Sequence, residues 1–127
     1  MRRRKNAAAK LILLTGISEL RRLRQRILDA EGFEVVAPKN ASAAADRMQA
    51  EKFDIAIVCH SITVPDAAML VRMFQSANPN GRVIAITLLG TMPDGYPADR
   101  AVSGIEGPAA LLEAVRELSL NSTNGGG

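Results

Sequence analysis

Phe53-Asp54-Ile55-Ala56-Ile57-Val58-Cys59-His60 is an apolar run that ends in a thiol and an imidazole. Its length and aliphatic composition are typical of a strand that is buried on both faces of a parallel sheet. Two similar runs, Lys10 to Thr15 and Arg82 to Thr87, lie before and after it along the chain. Each precedes a polar turn, so the sequence predicts parallel strands whose carboxyl ends share one edge of the sheet.

The segment after the first strand has the periodicity of an amphipathic helix. Ser18 is predicted to cap it, and Gly32 to end it. Its apolar face comprises Leu20, Leu23, Ile27 and Leu28. The remaining surface carries Arg21, Arg22, Arg24 and Arg26, which we interpret as a solvated face partly offset by Glu19, Asp29 and Glu31.

Strands and helices continue to alternate along the rest of the chain. The other predicted strands are Phe33 to Ala37 and about Ala101 to Ser103. Two further helices are predicted over Ala41 to Glu51, with Asn40 as cap, and over about Asp66 to Ser76. A last helix starts at Pro108, and its inner stripe comprises Leu111, Leu112, Val115 and Leu118. This alternation predicts a mainly parallel sheet with helices on both faces.

The charge of the chain is concentrated at one end. Of 127 residues, 16 are basic and 13 acidic, for a formal net charge of +3. Five of the basic residues are Arg2, Arg3, Arg4, Lys5 and Lys10, so the remainder of the chain is slightly acidic. We therefore interpret the start of the chain as a solvated basic tail, and expect nucleic-acid contact only through Arg2, Arg3 and Arg4.

The chain has one cysteine, Cys59, and one histidine, His60. A single cysteine excludes an internal disulfide and any metal site that needs several cysteines. The start of the chain lacks the apolar stretch of a secretory signal, and no apolar run approaches the roughly 20 residues that span a bilayer. A cytoplasmic protein without a membrane span is expected.

In order and spacing, these segments resemble the receiver domain of bacterial two-component response regulators. The matching stretches are Lys10 to Leu14, Ser18 to Val36, Phe53 to Val58, Arg82 to Thr87 and Pro108 to Leu118. The resemblance implies an α/β, flavodoxin-like fold: a doubly wound, five-stranded parallel sheet in the order 2-1-3-4-5 with helices on both faces. We divide the chain into a disordered basic tail (1–9), a receiver-like domain (10–120) and a flexible tail (121–127).

The strand ends depart from the pattern of that family. A receiver carries two magnesium-binding acids after its first strand, a phospho-accepting aspartate at the end of the third, a hydroxyl at the end of the fourth and a lysine after the fifth. The corresponding residues here are Thr15, Gly16, Cys59, Thr87 and Gly104. Only the hydroxyl is retained, although Asp66 matches an acid at the start of the family's third helix. The resemblance therefore implies a degenerate pocket without metal or cofactor.

Two further differences concern the interval after Thr87 and the fifth strand. A receiver has a full fourth helix between its fourth and fifth strands, but Gly90, Pro93, Gly95 and Pro97 predict that this helix is short or missing here. The family often places a switch aromatic in its fifth strand, at the position of Ala101. Because loops on a rigid sheet commonly carry recognition, we expect partner specificity in the loop from Leu88 to Asp99, including Met92, Asp94 and Tyr96.

These features predict a non-enzymatic pseudo-receiver that acts by phosphorylation-independent protein–protein interaction. By analogy with the family, its partner is a histidine kinase, another regulator, an output protein or a second copy of the chain.

The alternative hypothesis is a sensor of a small ligand, an anion or redox state that uses the crevice around Cys59, with Thr15, Ser18 and Thr87. A Cys59–His60 catalytic pair is disfavoured because successive strand residues point to opposite faces. A third reading, phosphorylation at Asp54 or Asp66, requires Asp54 to act from the far edge of the sheet.

Overall fold

The computed structural model describes residues 9–87, 98–104 and 107–126, with side chains described as far as Ser119. Within these residues, strands and helices alternate in an α/β arrangement. The strands are β1 (Lys10–Leu14), β2 (Glu34–Val36), β3 (Ile55–Cys59), β4 (Arg82–Thr87) and β5 (Arg100–Ser103). The helices are α1 (Ser18–Ala30), α2 (Ala41–Ala50), α3 (Val64–Ala77) and α4 (Pro108–Gly126).

The five strands form one parallel sheet in the order β2-β1-β3-β4-β5, which confirms the predicted topology. In the register, Leu14 pairs with Val58 and Cys59 pairs with Ile86. Thr87 in turn pairs with Ser103. The ends of β1, β3, β4 and β5 are therefore aligned along one edge, which we call the carboxyl edge of the sheet.

Two apolar layers cover the two faces of the sheet. One contains Leu28 of α1 and Leu111, Ala114 and Val115 of α4, together with Ile55, Ile57 and Cys59 of β3. The other contains Met48 of α2 and Leu70, Val71 and Phe74 of α3, together with Ala56 and Val58 of β3. Successive strand residues point to opposite faces, so alternate β3 side chains enter the two layers. Because helices cover both faces, all of these side chains are buried. This explains why the stretch is continuously apolar rather than alternating.

The first residues of the helices agree with two of the sequence predictions and differ from two others. Asn40 caps α2, its Oδ1 accepting from the amide of Ala43 at 2.8 Å, and α4 begins at Pro108. Ser18 is not the cap of α1: it is already helical, and Ile17 occupies the cap position without a side-chain hydrogen bond. Helix α3 starts two residues before Asp66, because the Thr63 hydroxyl accepts from the Asp66 amide at 3.4 Å.

The inner face of α1 and the end of α4 also differ from expectation. Leu23 was assigned to the apolar face of α1, but it is 52% exposed, whereas Leu28 is fully buried. Helix α4 continues to Gly126 and so includes most of the segment 121–127 that was predicted as a flexible tail. No residue between Pro108 and Asn124 breaks a helix, and adding a turn to an existing helix costs far less than starting one.

Several sequence predictions lie outside the described residues. The short or missing fourth helix and the partner-loop residues Leu88, Met92, Asp94 and Tyr96 fall within 88–97, and the basic tail falls almost entirely within 1–8. These remain predictions.

At the opposite edge of the sheet, polar groups are closely paired. The amide of Lys10 donates to Asp54 Oδ2 at 2.8 Å, and its ammonium lies 2.6 Å from Glu51 and 3.8 Å from Glu34. Arg47 also pairs with Glu51. The hydrogen bond from Arg47, followed by that from Lys10, lowers the pKa of Glu51 to about 2. We call this region the amino edge.

Asn78 connects two elements at the amino edge from a buried position. Its side-chain oxygen accepts from the amide of Phe53 at 2.8 Å, and its side-chain amide donates to the carbonyl of Phe74 at 3.0 Å. The residue is only 6% exposed. A buried polar side chain with its groups satisfied in this way fixes the start of β3 against the end of α3.

Candidate functional site at the carboxyl edge of the sheet

The fold brings the five predicted pocket residues to the carboxyl edge. Thr15 and Gly16 follow β1, Cys59 ends β3, Thr87 ends β4 and Gly104 follows β5. In open α/β sheets this edge is where ligands bind.

At the ends of β1 and β3, hydroxyl groups form a compact cluster. Thr15 Oγ1 lies 3.0 Å from Ser61 Oγ, and the amide of Gly16 donates to the same Ser61 oxygen at 2.9 Å. The backbone also approaches closely here, because a Cβ on Gly16 would lie 3.0 Å from the Ser61 carbonyl oxygen. The Ser61 hydroxyl thus binds Thr15 and Gly16, the two residues that the resemblance matches to a receiver's magnesium-binding acids.

Cys59 is buried, and its nearest polar partner comes from α1. The residue is 1% exposed, and the Arg24 Nη1 group donates to its sulfur at 3.0 Å. Burial raises the pKa of the Cys59 thiol, although Arg24 and a hydrogen bond from Thr15 act in the opposite direction. The thiol is therefore protonated at neutral pH and packs as a small apolar group.

Thr87 and Gly104 meet on the β5 side of the site. The amide of Gly104 donates to the Thr87 carbonyl oxygen at 2.8 Å. A Cβ on Gly104 would lie 3.3 Å from Ile86 Cγ2 and 3.7 Å from Arg24 Nη2. The guanidinium of Arg24 thus lies beside Gly104, the residue that the resemblance matches to a receiver's lysine. The Thr87 hydroxyl is buried and has no hydrogen-bond partner among the described residues.

The remaining candidate residues do not join this site as a catalytic group. His60 is exposed while the preceding thiol is buried, so the two side chains diverge as the strand geometry requires. Asp66 is exposed in the first turn of α3. Asp54 lies at the amino edge, where it accepts from the amide of Lys10. Among the residues that the structure describes, no group of three His, Cys, Asp or Glu side chains could hold a metal ion.

A cavity of about 300 Å³ opens beside the hydroxyl cluster. Its walls come from the loops that follow β1, β2 and β3, and its lining includes Thr15, Lys39, Asn40, Ser61, Thr63 and Asp66. The amino ends of α2 and α3 border it. Its lining also includes apolar residues, among them Leu14 and Leu70.

Two residues of the site were not identified from the sequence. The sequence pattern places Arg24 on a solvated face. Its contact with Cys59 joins residues that are 35 positions apart, and a local pattern does not reveal such a contact. The sequence pattern does not single out Ser61, and no sequence signal indicates that its hydroxyl contacts Thr15 and Gly16. The helical spacing of Arg24 from Leu20, Ile27 and Leu28 could have placed it on the inner face of α1.

No family model matches this chain, and no curated protein matches its sequence. Solved structures do match its fold. A CheY-like response regulator receiver domain from Methanospirillum hungatei JF-1 superposes with a TM-score of 0.79 at 18% identity, over 92% of this chain and 98% of that chain. A response regulator receiver protein from Sinorhizobium medicae WSM419 gives a TM-score of 0.75 at 20% identity, over 91% and 97%.

A third solved structure with this fold is that of a complex. The response regulator protein TrrA from Thermotoga maritima, in complex with magnesium and beryllofluoride, gives a TM-score of 0.70 at 17% identity, over 87% of this chain and 98% of that one.

No helix in the described part of the present chain is both long and apolar enough to cross a membrane. Taken with the strand order and the helices on both faces, these similarities show that the chain has the CheY-like fold of response regulator receiver domains.

Proposed function

We propose that this chain is a receiver-like signal-transduction domain that acts by binding another protein without being phosphorylated. The observation that carries this proposal is the hydroxyl cluster at the carboxyl edge. Ser61 hydrogen-bonds to Thr15 and Gly16, at the positions of the family's metal-binding acids. A hydroxyl and a backbone amide lack the negative charge that magnesium prefers in its ligands.

The residue at the phospho-acceptor position supports the same proposal. Cys59 is buried and protonated, and a thiol cannot form the acyl phosphate that an aspartate forms. The retained scaffold then serves as a rigid support for surfaces that contact a partner. That partner is a histidine kinase, another regulator, an output protein or a second copy of the chain, in a cytoplasmic pathway of the two-component type and without an enzymatic step.

Phosphorylation is tested by intact-mass analysis and thermal unfolding of the full chain. Each is measured with and without magnesium, acetyl phosphate and beryllofluoride, with TrrA as positive control because its solved structure contains magnesium and beryllofluoride. We expect neither a phosphoryl adduct nor stabilisation for this chain. A magnesium-dependent adduct, or a rise in unfolding temperature with beryllofluoride that matches the TrrA response, would overturn the proposal.

A second candidate function is the sensing of a small anion in the cavity beside Thr15. The cavity volume of about 300 Å³ and the amino ends of two helices at its border favour this candidate. Redox sensing has less support, since the thiol is buried and its pKa is raised. Thermal unfolding with added phosphate or a nucleotide tests this candidate. A saturable rise in the unfolding temperature that is lost in Lys39→Gln would favour anion sensing. An unchanged unfolding temperature with both would exclude these ligands.

A further inference from the structure

The cavity beside the hydroxyl cluster lies where the connections of the sheet change direction. In the strand order, β1 has β2 on one side and β3 on the other, so the chain crosses over β1 between them. Ligands of open α/β sheets bind outside the strand ends at such a point. The volume of about 300 Å³ is at the lower end of the range for small-molecule sites. Location and size therefore fit a small ligand.

Part of the cavity lining is apolar and well packed. Leu14, Ala44 and Leu70 are 3%, 1% and 1% exposed, and each lines the cavity. Beside them, the hydroxyls of Thr15 and Ser61 are hydrogen-bonded to each other. A ligand that covers this lining with an aliphatic group removes apolar surface from water, which favours binding.

Two charges of opposite sign line the same cavity. Lys39 lies in the loop after β2, and Asp66 lies in the first turn of α3. They do not pair with each other, and neither makes an ion pair with any other described residue. A ligand with a single charge is attracted by one of them and repelled by the other, whereas a ligand with both charges is attracted by both.

The two helix ends at the border of the cavity differ in the same sense as the two charges. Asn40 binds two amides at the start of α2, but those of Ala41 and Ser42 have no acceptor among the described residues. Helix α2 has no acidic residue in its first turn, whereas α3 has Asp66 there and Thr63 as its cap. The positive end of α2 is therefore available to a carboxylate, and that of α3 is already offset.

We propose that this cavity binds a free α-amino acid with an aliphatic side chain. Its carboxylate contacts Lys39 and the start of α2, its ammonium contacts Asp66, and its side chain packs on Leu14 and Leu70. This inference rests on the second candidate function, a sensor at this cavity, and it names the class of ligand. A residue inside a protein chain is not a ligand of this kind, because its amino and carboxyl groups are in peptide bonds.

The test uses leucine and three compounds that each lack one of its groups. Isocaproate lacks the ammonium, isoamylamine lacks the carboxylate, and glycine lacks the side chain. Each is titrated into the isotope-labelled full chain while amide chemical shifts are recorded. We expect saturable binding of leucine, with shifts in residues 14–16, 39–44 and 61–66. The three other compounds should bind at least about tenfold more weakly, because each loses one of the three contacts.

Matched variants test the two charges separately. Lys39→Gln and Asp66→Asn should each raise the dissociation constant of leucine about fivefold, since both side chains are exposed. Asp66→Asn should also tighten the binding of isocaproate, because a like charge is removed from its site. Lys52→Gln at the amino edge and Asp46→Asn, at an exposed residue of α2, should change neither constant. Thermal unfolding of each variant checks that it is folded.

The proposal fails if leucine does not bind saturably, if its shifts lie away from the cavity, or if folded Lys39→Gln and Asp66→Asn bind it like the parent chain. Binding of isocaproate or phosphate as tightly as leucine would also overturn it, and would leave anion sensing as the function of the cavity. None of these outcomes affects the mass and stability assay with acetyl phosphate, so the amino-acid site and the phosphorylation-independent function can fail separately.

Discussion

The amino and carboxyl edges of the sheet differ in how their polar groups are satisfied. At the amino edge, Lys10 pairs with two glutamates, and the buried Asn78 uses both halves of its side-chain amide. At the carboxyl edge, the Thr87 hydroxyl is buried without a partner among the described residues, and Arg24 is left with a thiol. The two edges belong to the same strands, so strand propensity does not account for the difference.

This difference separates stability from binding. Polar groups that are satisfied within the chain contribute to the free energy of unfolding and have little left to offer a ligand. Groups left unsatisfied cost stability, and they persist where a partner supplies the missing contact. Among the described residues, the carboxyl edge contains both kinds: a self-satisfied cluster of hydroxyls at β1 and β3, and a cation and a hydroxyl with unused hydrogen-bonding capacity toward β5.

The largest effect is expected at the amino edge, for Asn78→Ala. This change leaves the buried amide of Phe53 without its acceptor, and the free energy of unfolding should fall by about 2 kcal/mol. Chemical denaturation with circular dichroism measures the change. Asn80→Ala, at an exposed residue of the same turn, is the control and should stay within about 0.5 kcal/mol of the parent. A loss below 0.5 kcal/mol for Asn78→Ala would contradict the assigned role.

At the carboxyl edge, Ser61→Ala should have a smaller effect. It removes the oxygen that accepts from the amide of Gly16 and contacts the Thr15 hydroxyl, but Gly16 is exposed and both residues line the cavity. We expect a loss of about 1 kcal/mol, measured in the same denaturation assay. Ser61→Thr retains the hydroxyl and is the matched control. If Ser61→Ala cost as much as Asn78→Ala, the two edges would not differ as described.

The smallest effect concerns the pH dependence of stability at Glu51. The pKa of this carboxyl in the folded chain is about 2, below the ordinary value of 4.5, so its stabilising effect is present above pH 4.5 and is lost as the pH falls toward 2. Glu51→Gln should therefore lower the free energy of unfolding at neutral pH by less than about 1 kcal/mol, since the pair is solvent-accessible.

Denaturation from pH 7 to pH 2 should show the difference between Glu51→Gln and the parent shrinking below pH 4.5. A difference that grows on acidification would have the wrong sign for a carboxyl whose pKa is lowered on folding.

The sequence predicted the architecture well because the burial pattern is local. The continuous apolar run of β3 requires cover on both faces, and parallel strands with helical connections supply it. Asn40 and Pro108 also act over a few residues, and both were placed correctly. Ser18 was wrong as a cap because Ile17 already holds the cap position.

The candidate site was predicted only in part. Its five positions follow from the strand ends, but their contacts depend on residues distant in sequence. Ser61 reaches Thr15 across 46 positions, and Arg24 reaches Cys59 across 35. The spacing of Arg24 from Leu20 and Ile27 places it on the inner face of α1, unlike the exposed Arg22 and Arg26, but it does not indicate that the guanidinium contacts Cys59.

We infer that the surroundings of Cys59, and not only the absence of an aspartate, prevent phosphotransfer at the carboxyl edge. The most direct measurement is the intact mass of Cys59→Asp after exposure to acetyl phosphate and magnesium, with Cys59→Asn as the control that cannot accept a phosphoryl group. We expect no magnesium-dependent adduct, because Ser61 remains hydrogen-bonded to Thr15 and Gly16 and the new carboxylate pairs with Arg24. A magnesium-dependent phosphoryl adduct on folded Cys59→Asp, absent from Cys59→Asn, would contradict it.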